Sequence, residues 1–165
     1  MKQGSLRLIM ESLDREGVRF LVAGGLAVNA HGLLRATADV DIVIRLAPEN
    51  ITRTFTALGA LGFRPLVPVT TEAFSDPQTR AGWIAEKGMR VLQFHSDAHR
   101  TVTVDVFVEE PFPFDEEYAR SLAKELSGGV VVRFVSLPTL LRMKEAAGRP
   151  QDLADIAQLR QRLNP

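Results

Sequence analysis

Two aspartates stand two residues apart in the run Asp39-Val40-Asp41-Ile42-Val43-Ile44, which is otherwise apolar and β-branched. Residues two apart on a strand share a face. Asp39 and Asp41 are therefore expected to project together, while Val40, Ile42 and Ile44 turn toward a core. Two ionised carboxylates this close repel, and burying them unpaired is very costly. A divalent cation removes that penalty, and magnesium takes hard oxygen ligands, commonly one or two carboxylates together with substrate phosphates. Asp105 repeats the oddity inside Thr-Val-Thr-Val-Asp-Val-Phe-Val, a setting that disfavours an acid. If its strand pairs beside the first, three carboxylates converge. Such a trio can hold two metals roughly 3.5–4 Å apart, as in sites that displace phosphoryl and nucleotidyl groups. The plainer reading is that each aspartate caps a loop or faces solvent.

The rest of the composition narrows the chemistry. Lys and Arg number 20 against 20 Asp and Glu, so the formal net charge is zero. No global basic field attracts a membrane surface or long nucleic acid. Cysteine is absent, which excludes disulfides, thiolate zinc sites and cysteine nucleophiles. His31, His95 and His99 lack metal-ligand spacing among themselves, and there is no Gly-x-Ser-x-Gly elbow or Walker loop. The first 17 residues carry charge throughout and contain no continuous apolar segment, and no stretch approaches membrane-spanning length. The expected compartment is the cytoplasm.

These side chains need elements to hold them. Ser5 is expected to cap a first helix, with Leu6, Ile9, Met10 and Leu13 at helical spacing and Gly17 as its stop. Residues 18–25 read as a short buried strand ended by Gly24-Gly25, and residues 26–32 as a short helix. A strand over 39–46 and a helix opened by Pro48 and closed by Gly62 follow. Residues 63–88 suggest an edge strand, a loop and a short helix near Trp83. Strands over 89–96 and 101–110 suit a hairpin. Residues 111–129 read as a proline-rich loop turning helical, and 130–136 as a strand. Helices over 137–148 and 150–163 close the chain. The pattern predicts one domain over residues 1–165, an α+β or α/β sheet covered by helices on one side, with a helical tail from about 137 to 165.

The segment Val-Ala-Gly-Gly-Leu-Ala-Val-Asn-Ala-His-Gly-Leu-Leu-Arg-Ala-Thr-Ala-Asp-Val-Asp-Ile-Val-Ile resembles the signature of the nucleotidyltransferase superfamily, whose fold is named after DNA polymerase β. An apolar strand, a glycine turn opening a helix, an acidic pair on the next strand and a later third acid make up that signature. The run Leu-Leu-Arg-Ala-Thr-Ala-Asp-Val-Asp-Ile-Val-Ile, residues 33–44, is especially similar to the minimal bacterial branch that includes the type IV toxins of the abortive-infection kind. Residues 140–159 resemble the tail of that branch, where a lysine on one helix precedes an aspartate motif on the next: here Lys144, Asp152 and Asp155. The turn is Gly24-Gly25 where many members have Gly-Ser, so backbone amides must serve without a serine hydroxyl.

The resemblance implies an α+β fold, a polymerase β-like mixed sheet flanked by helices. It also implies transfer of a nucleotide from a nucleoside triphosphate such as ATP to a hydroxyl on a small molecule, a protein side chain or an RNA end. Asp39, Asp41 and Asp105 would be the catalytic residues and would hold Mg2+ or Mn2+. Gly24 and Gly25 would let backbone approach phosphate. Arg35 would neutralise phosphate charge or simply lie on the surface, and Thr37 would orient the loop or merely turn it. Lys144 would reach a phosphate or stand as an ordinary lysine of an amphipathic helix. Asp152 would contact Lys144, Arg149 or the nucleotide, or meet its own helix dipole. Two other readings stay open. One is a non-catalytic module of the same fold serving a partner protein in a toxin–antitoxin complex, and the other is a metal-dependent phosphohydrolase.

Overall fold

A computed structural model describes residues 3–126 and 128–163; the last two positions of the expected tail lie outside them. In chain order the elements are α1 (Gln3–Arg15), β1 (Phe20–Val22), α2 (Gly24–Ala30), β2 (Asp39–Ile44) and α3 (Pro48–Ala60). Next come β3 (Arg64–Pro65), α4 (Thr71–Ser75), α5 (Pro77–Lys87), β4 (Val91–His95) and β5 (Thr103–Phe107). The chain continues through α6 (Phe114–Arg120), β6 (Leu122–Glu125), β7 (Val131–Phe134), α7 (Leu137–Ala147) and α8 (Pro150–Leu163). The strands form one mixed sheet in the order β3-β4-β5-β2-β1-β7-β6, with β2 parallel to β5 and β1 parallel to β7. The remaining neighbours are antiparallel. The fold class is thus α+β, a mixed sheet flanked by helices. No helix among the described residues is long and apolar enough to cross a membrane.

Alternation decides what each strand face does. Val40, Ile42 and Ile44 of β2 are buried together with Val104 and Val106 of β5 and Leu92 and Phe94 of β4. Phe55 of α3 packs edge-on against Phe94 and tilts against Phe74 of α4, so this is the face those helices cover. Leu21 and Val43, paired across β1 and β2, are fully buried on the opposite face. Central strands buried on both sides require cover on both sides. The expectation of helices on one side is therefore corrected: the second face is covered over β1 and the end of β2. It is half-open over β4, β5 and the start of β2, where Gln93, Thr103, Asp105 and Asp41 are only partly buried and Asp39 is exposed.

Two local expectations are also overturned. Ser5 lies inside α1 and does not cap it; its hydroxyl pairs with His99 Nδ1 at 3.0 Å. Residues 122–125, Leu-Ala-Lys-Glu, have good helix propensity yet form the edge strand β6. They pair with the β-branched run of β7 from Leu122↔Phe134 to Glu125↔Val131. Gly128 and Gly129, both at positive φ, allow the reversal. Lys124 and Glu125 then blunt an otherwise open sheet edge.

The junction between α6, β7 and α7 rests on one acid. Glu117 is fully buried, and its carboxylate accepts from Ser136 N at 2.6 Å, Thr139 Oγ1 at 2.7 Å and Arg120 Nε at 2.5 Å. Ser136 precedes α7 without capping it through its own side chain, and its backbone N–H is taken up by Glu117 from another helix. Burial alone would raise the Glu117 pKa; the bonds from Thr139, Ser136 and Arg120 outweigh it and hold the carboxyl below its ordinary value. A lowered carboxyl stabilises the fold above its unfolded pKa, and the gain is lost as pH falls through the folded value. Glu117→Gln should therefore cost about 1.5–3 kcal/mol at pH 7, the range for hydrogen bonds to charged groups. Urea titrations of both proteins should show that gap closing as the pH drops below the ordinary value of 4.5.

Candidate active site

The parallel pairing of β2 and β5 sets Asp41 opposite Asp105 and Asp39 opposite Thr103. The antiparallel pairing of β4 and β5 then sets Gln93 beside Asp105. Cross-strand partners share a face, so Asp39, Asp41 and Asp105 project from the half-open side of the sheet, with Gln93 and Thr103 among them. Thr103 Oγ1 donates to Asp39 Oδ1 at 2.8 Å, and Gln93 Nε2 donates to Asp105 Oδ1 at 3.0 Å. The conditional expectation that the two acidic strands adjoin is met.

The turn after β1 closes against the same carboxylates. Ala23 N donates to Asp41 O at 2.9 Å, bringing the start of α2 over β2. Gly24 has φ +58°, and a Cβ there would lie 1.9 Å from Asp41 Oδ2. Only glycine satisfies both the backbone and the space. A Cβ on Gly25 would meet Thr37 Oγ1 at 2.8 Å, so Thr37 packs onto bare backbone. Its hydroxyl is 3.4 Å from Asp39 O, a long contact.

Burial, with mutual repulsion added to it, dominates the electrostatics of the acidic face. Burial, then Asp105, then Asp39 push the Asp41 carboxyl from 3.8 up to about 6, with Arg149 and Lys144 pulling it back. Burial also raises Asp105; the Gln93 bond opposes this and Asp39 adds to it. The Asp41 carboxylate accepts no hydrogen bond among the described residues. Nor, among those residues, do three acids or imidazoles already enclose one point at metal-ligand spacing. The face nonetheless fits a divalent cation by its chemistry: hard oxygen donors on one side of a sheet, one of them partly buried and unpartnered, with their mutual repulsion only partly offset.

A second cluster of opposite design lies alongside. Lys144 is 5% exposed, and its Nζ is 2.9 Å from Asp152 Oδ1 and 2.7 Å from Asp155 Oδ2. Arg149 Nε reaches Asp152 Oδ2 at 2.7 Å, and Arg35 Nη1 reaches Asp155 Oδ2 at 2.6 Å. Gln151 Nε2 adds a bond to Asp155 Oδ1 at 3.1 Å. Asn29 of α2 grips the Arg35 backbone from both sides, at 2.8 Å to N and 3.0 Å to O. Burial would raise both aspartates. The bonds from Arg149 and Lys144 overturn this for Asp152, and those from Lys144, Gln151 and Arg35 for Asp155. Both carboxyls end below the ordinary value.

All nine residues singled out for the site thus fall around one corner of the sheet, in two groups. Asp39, Asp41 and Asp105 share the open face, with Gly24, Gly25 and Thr37 packed beside them. Arg35, Lys144 and Asp152 join Asp155 in the ion cluster, which acts on Asp41 through the charges of Arg149 and Lys144. Gln93, Thr103, Asn29 and Arg149 are not singled out as site residues by the sequence. For Thr103 a signal exists: Thr-Val-Asp in β5 repeats the spacing of Asp-Val-Asp in β2. For Gln93 the signal is a polar residue in an apolar alternation, Val-Leu-Gln-Phe.

A raised carboxyl destabilises the fold above its pKa. Between the unfolded and folded values the native state binds more protons, so stability falls as pH rises through that window. Asp41→Asn removes the cost. In metal-free buffer the variant should become more stable than the parent, by up to about 3 kcal/mol. The gap should open between about pH 4 and about pH 6 and stay constant above, as read by chemical denaturation across pH.

Comparison with known proteins places this geometry. Residues 7–165 match the family model described as nucleotidyl transferase AbiEii toxin, type IV TA system. No curated protein matches the chain. Among solved structures the chain resembles ANT(2'')-Ia in a crystal structure with adenylyl-2''-tobramycin, at TM-score 0.59 and 13% identity, over 98% of this chain and 88% of that one. It also resembles a putative nucleotidyltransferase, TM1012, from Thermotoga maritima, at TM-score 0.57 and 17% identity, over 97% of this chain and 91% of that one. With the family model spanning nearly all of it, the chain belongs to the AbiEii nucleotidyltransferase family of type IV toxins.

Proposed function

We propose that the protein transfers a nucleotidyl group from a nucleoside triphosphate to an acceptor hydroxyl, with Mg2+ or Mn2+ held by Asp39, Asp41 and Asp105. The observation that carries this reading is the β2–β5 register, which brings Asp41 and Asp105 side by side on an open face next to the bare backbone of Gly24. The acceptor oxygen attacks the α-phosphorus; the new P–O bond forms as the bond to the β-phosphate breaks, and pyrophosphate leaves. The hydroxyl proton passes to Asp105 or to water. When bound, the cation supplies Lewis-acid charge for the phosphates and lowers the pKa of the attacking hydroxyl.

The chain's own residues do the rest. Gly24 and Gly25 let main chain approach the triphosphate. Arg35 and Lys144 supply positive charge beside it, with Asp152 and Asp155 holding both the Lys144 ammonium and the two neighbouring guanidiniums in place. Thr37, wedged on Gly25, keeps the loop ahead of β2 against α2. The similar ANT(2'')-Ia was crystallised with adenylyl-2''-tobramycin, a small molecule that carries an adenylyl group. For this chain the acceptor class is a small molecule, a protein side chain or an RNA end.

Titration calorimetry with ATP, GTP, CTP and UTP in the presence of Mg2+ should show binding of at least one; heat-silent titrations of folded protein with all four would reject the reading. Incubation of cell extract with labelled nucleotides, followed by mass spectrometry, should reveal a nucleotide-bearing acceptor. Asp41→Asn should lower that labelling at least about 100-fold, since a direct ligand should exceed the 10–100-fold of its supporting partners.

A further inference from the structure

Gln93 and Thr103 have no part in the chemistry above, yet each spends a hydrogen-bond donor on one of its carboxylates. Both belong to strands whose register fixes their position: Gln93 beside Asp105, and Thr103 beside Asp39. The bonds are of ordinary length and one-sided. Each goes to Oδ1, at 3.0 Å and 2.8 Å, and among the described residues the other oxygen of each aspartate accepts nothing. On a half-open sheet face a glutamine or threonine has water available, so a bond to protein is a choice of geometry rather than a need.

Resting on the metal-site reading above, we infer that Gln93 and Thr103 are positioning residues that clamp Asp105 and Asp39, fixing each carboxylate plane and leaving one oxygen for a divalent cation. The physics favours neutral donors here. A lysine or arginine at either place would pair with the carboxylate, offset its charge and compete with the cation. An amide or hydroxyl orients the group while leaving its charge in place. Asp41 has no such partner and needs none from a side chain, because Gly24 packs directly onto Oδ2. The three acids are thus each oriented by a different neutral group: an amide on β4, a hydroxyl on β5 and a glycine backbone at α2. Ligating groups are commonly held this way, and removing the holder costs 10–100-fold in metal affinity or activity.

The test uses Mn2+ alone, followed by water-proton relaxation, on the parent chain, Gln93→Leu, Thr103→Val and the double variant. Thr103→Val keeps the β-branched shape that the strand prefers. Each single change should weaken Mn2+ binding about tenfold, with a metal-free thermal midpoint close to the parent's. Transfer by the variants should recover as Mg2+ is raised, which a merely structural defect would not do. Variants with parental Mn2+ affinity overturn the clamp and leave the metal-site reading intact. Affinity lost only in step with metal-free unfolding also overturns it. A parent chain that binds no Mn2+ overturns the metal-site reading, and this inference with it.

Discussion

One strand pairing governs the candidate site: β5 lies parallel beside β2, with Asp105 level with Asp41. The two segments are far apart in the chain, and nothing local holds them in register. What holds it is the alternation of Val104 and Val106 with Asp105, matched to that of Val40 and Ile42 with Asp41. A slip of one residue would bury Asp105 in the core and expose two valines, which is prohibitive on both counts. The same apolar contacts that stabilise the sheet therefore assemble the acids. Core packing and site geometry are one constraint here.

The acids are assembled against their own repulsion, and the architecture limits that cost without cancelling it. Positive charge is supplied at a distance by Lys144 and Arg149, and neither forms an ion pair with Asp41. Asp152 and Asp155 fix the position of Lys144 and offset much of its charge, and what remains of its field still lowers the Asp41 carboxyl. A buried ion cluster of this kind adds little net stability against an apolar alternative, but breaking it by halves is costly. Its value lies in placement. Arg35 comes from the loop after α2 and Lys144 and Arg149 from the end of α7 and the turn after it, and two aspartates of α8 bind them all.

Much of this is legible in the sequence, for a physical reason in each case. Period-two alternation around Asp39 and Asp41 implies their shared face, because the apolar positions admit no other orientation. The glycine pair marks a turn, though not that its first member stands where any Cβ would strike Asp41. The resemblance of the carboxy-terminal segment draws attention to Lys144 and Asp152, but their mutual bond depends on how α7 and α8 pack. Strand β6 reads as helix because Leu-Ala-Lys-Glu favours helix locally, and only the β-branched partner β7 reverses the preference. Gln93 and Thr103 escape notice because a polar residue on an exposed strand face is ordinary until its neighbour across the sheet is known.

The contact between Arg35 and Asp155 has a bearing on how the protein is made. Chains emerge from the ribosome with the amino-terminal end first, and domains begin to fold in that order. The acidic strand and its glycine turn are therefore synthesised before α8. Until α8 docks, Arg35 and Lys144 lack the carboxylates that hold them, and the acids face solvent without a fixed countercharge. A nascent chain of this design carries Asp39, Asp41 and Asp105 early, and Arg35 and Lys144 gain their aspartate partners only once α8 has been made.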